Sequence, residues 1–304
     1  MTLAIPAELH HDLSLVEQIL RDRLRARYSV IAMVDPHVIA DAADRLRALI
    51  VLAVARLGNT VSAQVVHAAA AVELIEAATR AHDNLIDRQA RRFGRGTNGT
   101  WDHGVALMVG DYLFALAAGE MARSPDPRVI ELYSQAVMRI CEGQLTTITS
   151  LTPQETALTI YWQRTEALFG VLLAASAQAG VLCGGLAEHL LEPAAQFGLH
   201  LGLALRLATE IRDLEANGAL LQAGHVPLAM LLAVPPAPVL QAVFANPAPT
   251  TIAEALPLIR TNGLPAARTA LVMQQNAARQ ALQLLPVGVT TPWLHRIIDQ
   301  IGEV

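Results

Sequence analysis

A chain of 304 residues that is 53% hydrophobic, only 16% charged and 4% aromatic has to bury a large core of aliphatic side chains. Alanine and leucine dominate while β-branched and aromatic runs are sparse, which excludes a β-rich domain and gives an all-α fold. The net charge of −5 excludes a general nucleic-acid binder, and all 22 basic residues are arginine, so a task that needs lysine falls here to a guanidinium or is not done.

The N-terminal stretch MTLAIPAELHHDLSLVEQILRDRLRARY lacks a continuous apolar region and soon becomes charged, which argues against a signal peptide and for a cytoplasmic protein. Helical periodicity predicts helices over about 8–28, 36–57, 61–89, 101–122, 126–149, 153–180 and 185–215. Shorter ones follow at about 226–233, 236–245, 251–262, 264–285 and 291–302. Arg21, Arg23, Arg25 and Arg27 alternate at the end of the first helix, as a solvated helix end beside a subunit contact would. Asn59-Thr60 and Thr152-Pro153 with Glu155 read as helix starts, and Gly58 and Gly263 as helix exits. The loop FGRGTNGTWDHG, residues 93–104, sits where an active-site lid would. The run ALFGVLLAASAQAGVLCGGLA, residues 167–187, carries no charge and is long enough to span a bilayer. Its Ser176, Gln178 and glycines, without flanking arginine clusters, make it a buried core helix rather than a transmembrane segment. Cys141 and Cys183 have no metal-ligand spacing and read as two reduced thiols. Nothing resembles an interdomain linker, and residues 1–304 are expected to form one large helical domain.

Two acidic segments carry the chemistry. In HDNLIDRQARR, residues 82–92, Asp83 and Asp87 stand one helical turn apart and are followed by Arg88, Arg91 and Arg92. In LATEIRDLE, residues 207–215, Glu210 and Asp213 share a face near the end of a long helix. Two such helices facing one another suit a divalent ion such as Mg²⁺ together with a phosphorylated ligand. Each segment alone equally suits a surface acid face paired with Arg88 or Arg212, and His82 suits either a partner of Asp83 or a lone exposed histidine.

The order of motifs adds to this. AAAAVELIEAATRAHDNLID, the Arg91-Arg92 pair, VGDYLFALA at 109–117, EGQL at 142–145, YWQRTEALFG at 161–170 and FGLHLGLALRLATEIRD at 197–213 together resemble the trans-isoprenyl (polyprenyl) diphosphate synthase family over more than half of the chain. The resemblance implies a single-domain bundle of long helices around a central cavity. Two Asp-rich motifs would bind Mg²⁺ and an allylic prenyl diphosphate, which is ionised and attacked by isopentenyl diphosphate. Metal ions and arginines would stabilise the departing pyrophosphate, and an apolar cavity would keep water from the cation. It further implies Asp83, Asp87, Glu210 and Asp213 as metal ligands and Arg91, Arg92, Arg45 and Arg47 as diphosphate-binding residues. Asp83, Asp87, Arg164 and Thr165 would be the catalytic residues. The small residues Ala78 and Thr79, ahead of Asp83, would admit a longer product tail.

The departures from the family pattern are specific. The first DDxxD reads Asp83-Asn84-Leu85-Ile86-Asp87, keeping its outer acids, whereas the second reads Thr209-Glu210-Ile211-Arg212-Asp213 and loses its leading acid. Arg206 stands for the family glutamine and Arg164-Thr165 for a Lys-Thr pair. In the isopentenyl diphosphate site, Gly-Lys-Arg-x-Arg-Pro becomes Ala43-Asp44-Arg45-Leu46-Arg47-Ala48, and a histidine becomes Glu76. A unit-charge interaction at 4 Å and an effective dielectric near 20 is worth about 4 kcal/mol, so acids at Asp44 and Glu76 oppose a diphosphate there. Three functional expectations follow. The chain is a non-catalytic or regulatory subunit, a homodimer or a heterodimer with an active prenyl diphosphate synthase; or it is an active prenyltransferase; or it is a terpene-ionising or terpene-binding protein that uses only the allylic half-site.

Overall fold

The computed structural model describes residues 5–24, 45–58, 62–92, 103–233 and 237–302, the side chains of residues 24, 83–92, 103, 105 and 106 excepted. Among the described residues there are helices and no strand, as the composition requires.

The helices are α1 (Ala7–Leu24), α2 (Leu46–Ala55), α3 (Val65–Arg92), α4 (His103–Met121), α5 (Arg128–Leu145), α6 (Gln154–Thr165) and α7 (Val171–Cys183). After them come α8 (Leu191–Ala216), α9 (Ala219–Gln222), α10 (Leu228–Leu232), α11 (Pro238–Ala245), α12 (Pro249–Leu258), α13 (Leu264–Gln283) and α14 (Thr291–Gln300). The expected helices are present within a few residues of their predicted limits wherever the structure describes them. Residues 25–44, which hold the expected start of the second helix, the Asn59-Thr60 start and most of the 93–104 loop lie outside the described residues.

The uncharged run is the centre of the bundle. α7 packs against α2, α3, α5 and α8, and nearly every residue from Val171 to Cys183 is buried. The helical stretch Gln154–Cys183 is long and apolar enough to cross a membrane, yet 72% of its apolar window is covered by the rest of the bundle. A helix enclosed on all sides must be apolar on all sides, so the surroundings account for the composition. One apolar cluster runs from Leu9 on α1 to Ile301 after α14. α1 is tied to this bundle by ion pairs from Asp12 to Arg56, Glu17 to Arg45 and Arg23 to the buried Glu120.

Two details differ from the sequence reading. Residues 166–170 form a π-helical turn between α6 and α7, and residues 259–263 form another between α12 and α13. Gly263 is therefore not a helix exit: the helix runs through it. A Cβ there would lie 1.8 Å from the Ala229 carbonyl oxygen, so the position needs glycine for the close approach of α10. The four-residue helix α9, which caps the turn after α8, was not expected either.

Candidate functional site

α8 brings Arg206 and Glu210 to a cavity of about 350 Å³. α6 and the π turn add Tyr161, Arg164, Thr165 and Phe169, while Gln144 comes from the end of α5 and His225 from the segment before α10. The volume lies at the lower end of the range for small-molecule sites, and the lining is shared between apolar side chains and polar or charged ones. The wall is shaped by a close helix contact. Gly202 of α8 lies under the π turn, where a Cβ would come within 2.1 Å of the Phe169 carbonyl oxygen. π turns often occur at functional sites, and this one carries Phe169 into the cavity wall.

Glu210 is the electrostatic centre of this wall. It is buried, and its Oε2 accepts hydrogen bonds from the Tyr161 hydroxyl at 2.9 Å and from the Leu228 N–H at 2.9 Å. Its Oε1 accepts from Arg206 Nε at 2.8 Å. Burial raises the Glu210 carboxyl above the ordinary carboxylate range, against the pull of Arg206 and of the hydrogen bonds it accepts. Burial, and then the charge of Glu210, push the Tyr161 hydroxyl well above its usual value, so it stays a donor. The Arg206 guanidinium also stacks on the Phe169 ring, 4.5 Å from its centre. Asp213, three residues further on, accepts the Leu220 N–H with both carboxylate oxygens at 3.1 Å. Thr209 is exposed and its hydroxyl donates to the Leu205 carbonyl.

These contacts decide how the second acidic segment fits an ion. Mg²⁺ needs carboxylate oxygens free to turn toward it. Glu210 gives its oxygens to Arg206, Tyr161 and Leu228, and Asp213 gives its oxygens to the backbone of α9. Of the two acids the sequence pattern nominates, Glu210 is thus the more committed to protein donors, while Asp213 is half-buried and shares one N–H between its two oxygens. Among the described residues no group of three or more His, Cys, Asp or Glu side chains is arranged to hold a metal. The side chains of Asp83, Asp87, Arg91 and Arg92 lie outside the described residues; the backbone there is helical to Arg92. His82, just before them, faces α4, with Nε2 3.5 Å from Asp111 Oδ1 and 3.4 Å from the Leu107 carbonyl oxygen. α7 packs on both α3 and α8, the two helices that carry the acidic segments.

Arg164 and Thr165 both line the cavity, as expected of a pair at the end of α6. Arg164 donates to the Thr146 carbonyl at 2.5 Å, at the C-terminal end of α5, where a cation complements the helix dipole. Arg45 and Arg47 lie elsewhere, at the start of α2. Arg45 Nε donates to Glu17 Oε1 at 2.7 Å, with Nη1 3.7 Å from Glu73 Oε2, and Arg47 Nη2 meets Glu76 Oε2 at 3.0 Å. Burial pushes the Glu73 carboxyl up to about 7, although Arg47, the Ala48 N–H and Arg45 all pull it down.

The chain matches the sequence profile of the family described as polyprenyl synthetase over residues 31–222, well over half of its length. It belongs to the polyprenyl synthetase family. Among its relatives, heptaprenyl diphosphate synthase component 2 of Geobacillus stearothermophilus is 29% identical over 255 residues, covering 81% of this chain and 80% of that protein. The Bacillus subtilis protein of the same name is 27% identical over 310 residues, covering 97% and 88%. A decaprenyl diphosphate synthase from Rhodobacter capsulatus superposes with a TM-score of 0.84 at 27% identity, covering 97% of this chain and 96% of that one.

In this polyprenyl synthetase the cavity wall holds groups that motif order alone did not assign. Tyr161 and Phe169 lie in the 161–170 motif without a role there, and the Leu228 N–H is invisible as a cavity group in sequence. One signal was available: a tyrosine inside an apolar bundle needs a partner for its hydroxyl, and Glu210 is an acid on a neighbouring helix.

Proposed function

We propose that this polyprenyl synthetase is a cytoplasmic prenyl-diphosphate-binding subunit that works in complex with an active prenyl diphosphate synthase subunit. Asp83 and Asp87 hold Mg²⁺, Arg91 and Arg92 hold the phosphates of an allylic prenyl diphosphate, and the chain alone does not condense that substrate with isopentenyl diphosphate. The observation that carries this reading is the commitment of Glu210 to three protein donors, which ties the buried acid of the second segment to the bundle. The name "component 2" on two relatives supports a two-part assembly. So does α4, a predominantly apolar helix that leaves Leu107 48% and Met108 66% exposed. A helix of that composition is normally covered, and exposed apolar patches mark interaction surfaces.

The test is incubation of the pure protein with Mg²⁺, labelled isopentenyl diphosphate and each allylic diphosphate, alone and with a candidate partner subunit. Elongation is expected only with the partner. Robust elongation by the lone chain would instead establish the second reading, an active prenyltransferase, which the match to a decaprenyl diphosphate synthase supports. Ionisation products without elongation would place the chain with terpene-ionising proteins.

A further inference from the structure

A second cavity of about 350 Å³ opens between α8, α13 and the residues that follow α14. At about 100° per residue, its α8 residues Ala208, Arg212 and Glu215 stand roughly opposite Arg206 and Glu210, so the two cavities lie on opposite sides of one helix. α8 and α13 run antiparallel along it: Arg268 pairs with Glu215, while Gln274 Oε1, later in α13, meets His200 Nδ1, earlier in α8, at 2.7 Å. The two ends of the cavity therefore differ. Arg212, Arg268 and Glu215 stand at one end and Gln275 at the other, about 10 Å away along α13, with an apolar wall from Ile211, Leu271, Val272 and Ile301.

The polar groups are incompletely partnered. Arg268 takes Glu215, the one acid on the wall among the described residues. Arg212 donates only to the Ala208 carbonyl of its own helix, at 3.3 Å, and meets no acid among the described residues. One positive charge is thus left over. Gln275 is 7% exposed; its Nε2 donates to the Ile298 carbonyl at 2.8 Å, but its Oε1 accepts no hydrogen bond among the described residues. A side-chain amide so enclosed ordinarily has both its atoms engaged.

We propose that this cavity is a second ligand site, for a small amphiphilic monoanion. The acidic head pairs with Arg212, the apolar body lies along the wall, and a hydroxyl or N–H at the far end donates to Gln275 Oε1. Carboxylate and phosphate heads share this chemistry. The ligand rests against the same helix that carries Glu210 to the other cavity.

The experiment is calorimetric titration of the full chain with octanoate, ω-hydroxyoctanoate, octyl phosphate and octanol, with a chelator present so that the metal-dependent first segment does not report. The parent chain is compared with Arg212→Gln and Val272→Glu, both at exposed positions where the variants are expected to fold. The anionic probes should bind at least about tenfold tighter than octanol, and each substitution should weaken them about tenfold or more. The tighter of octanoate and octyl phosphate identifies the head as carboxylate or phosphate, and ω-hydroxyoctanoate should bind about threefold or more tighter than octanoate. No binding of either anionic head by the parent, octanol binding as tightly as octanoate, a hydroxyl that adds nothing, or affinities that both substitutions leave unchanged would each overturn the proposal.

Discussion

Tyr161 and Glu210, 49 residues apart in sequence, meet at 2.9 Å across the wall of the cavity, the hydroxyl donating to the buried carboxylate. The bond ties α6 to α8 at the position where an ion-binding acid was expected. Tyr161→Phe leaves Glu210 with one donor fewer in a dry site and should cost about 1–3 kcal/mol. Glu210→Ala, which strands Arg206, should cost about 3–5 kcal/mol, as breaking buried pairs does. Urea denaturation monitored by circular dichroism measures both, and Glu210→Gln should be milder than Glu210→Ala, because the amide oxygen still accepts from Leu228.

Glu73 predicts a pH dependence. Its folded value of about 7 lies above its ordinary 4.5, so its neutral form is the one the fold prefers. This contribution to stability is complete below the ordinary value and is lost as pH rises through about 7, an effect of about 3 kcal/mol between the two limits. Denaturation curves across that window should show Glu73→Gln gaining on the parent chain as pH rises.

Metal dependence separates the two acidic segments. Asp83→Asn should weaken Mg²⁺-dependent binding of an allylic prenyl diphosphate by about a hundredfold or more, as loss of a direct ligand exceeds the effect of outer partners. Asp213→Asn should leave that affinity within about twofold, because its oxygens serve Leu220. Calorimetric titration with and without Mg²⁺ reads both.

The exposed face of α4 predicts an oligomer-breaking change. Leu107→Asp combined with Met108→Asp places two charges on the apolar face and should weaken the assembly by about tenfold or more, a shift visible as a fall in mass by light scattering on dilution.

Gly202→Ala tests the packing beneath the cavity. Its methyl group would meet the Phe169 carbonyl at 2.1 Å, and the resulting overpacking should cost about 1–3 kcal/mol. The melting temperature would fall, and the π turn would have to move.

The helices were legible because their signal is local: the apolar run at 167–187 and the Thr152-Pro153 start before Gln154 each declare themselves within a few residues. The π turns were not, because the sequence around Phe169 keeps ordinary helical composition and Asn262-Gly263 with Pro265 has the signature of a helix end. What places them there are the close approaches at Gly202 and at Ala229, both contacts across the fold. The same division holds at the site. Arg164 and Thr165 were found from a motif and do line the cavity, and the acid at Glu76 was read as hostile to a diphosphate before its pairing with Arg47 could be seen. Glu210 was nominated from its spacing to Asp213, but its environment is set by Tyr161 and Leu228, which spacing within α8 does not reveal.

The turn at 166–170 also sets the angular relation between two jobs. In a regular helix each residue advances about 100° around the axis, so the extra residue of a π turn rotates everything beyond it by that amount. Arg164 and Thr165 face the cavity on one side of the turn, while Val171 onward fills the bundle centre on the other. Deleting a single residue from the turn would force a choice between those two orientations, so the tolerated length of this segment is fixed at one value even where its side chains are free to vary.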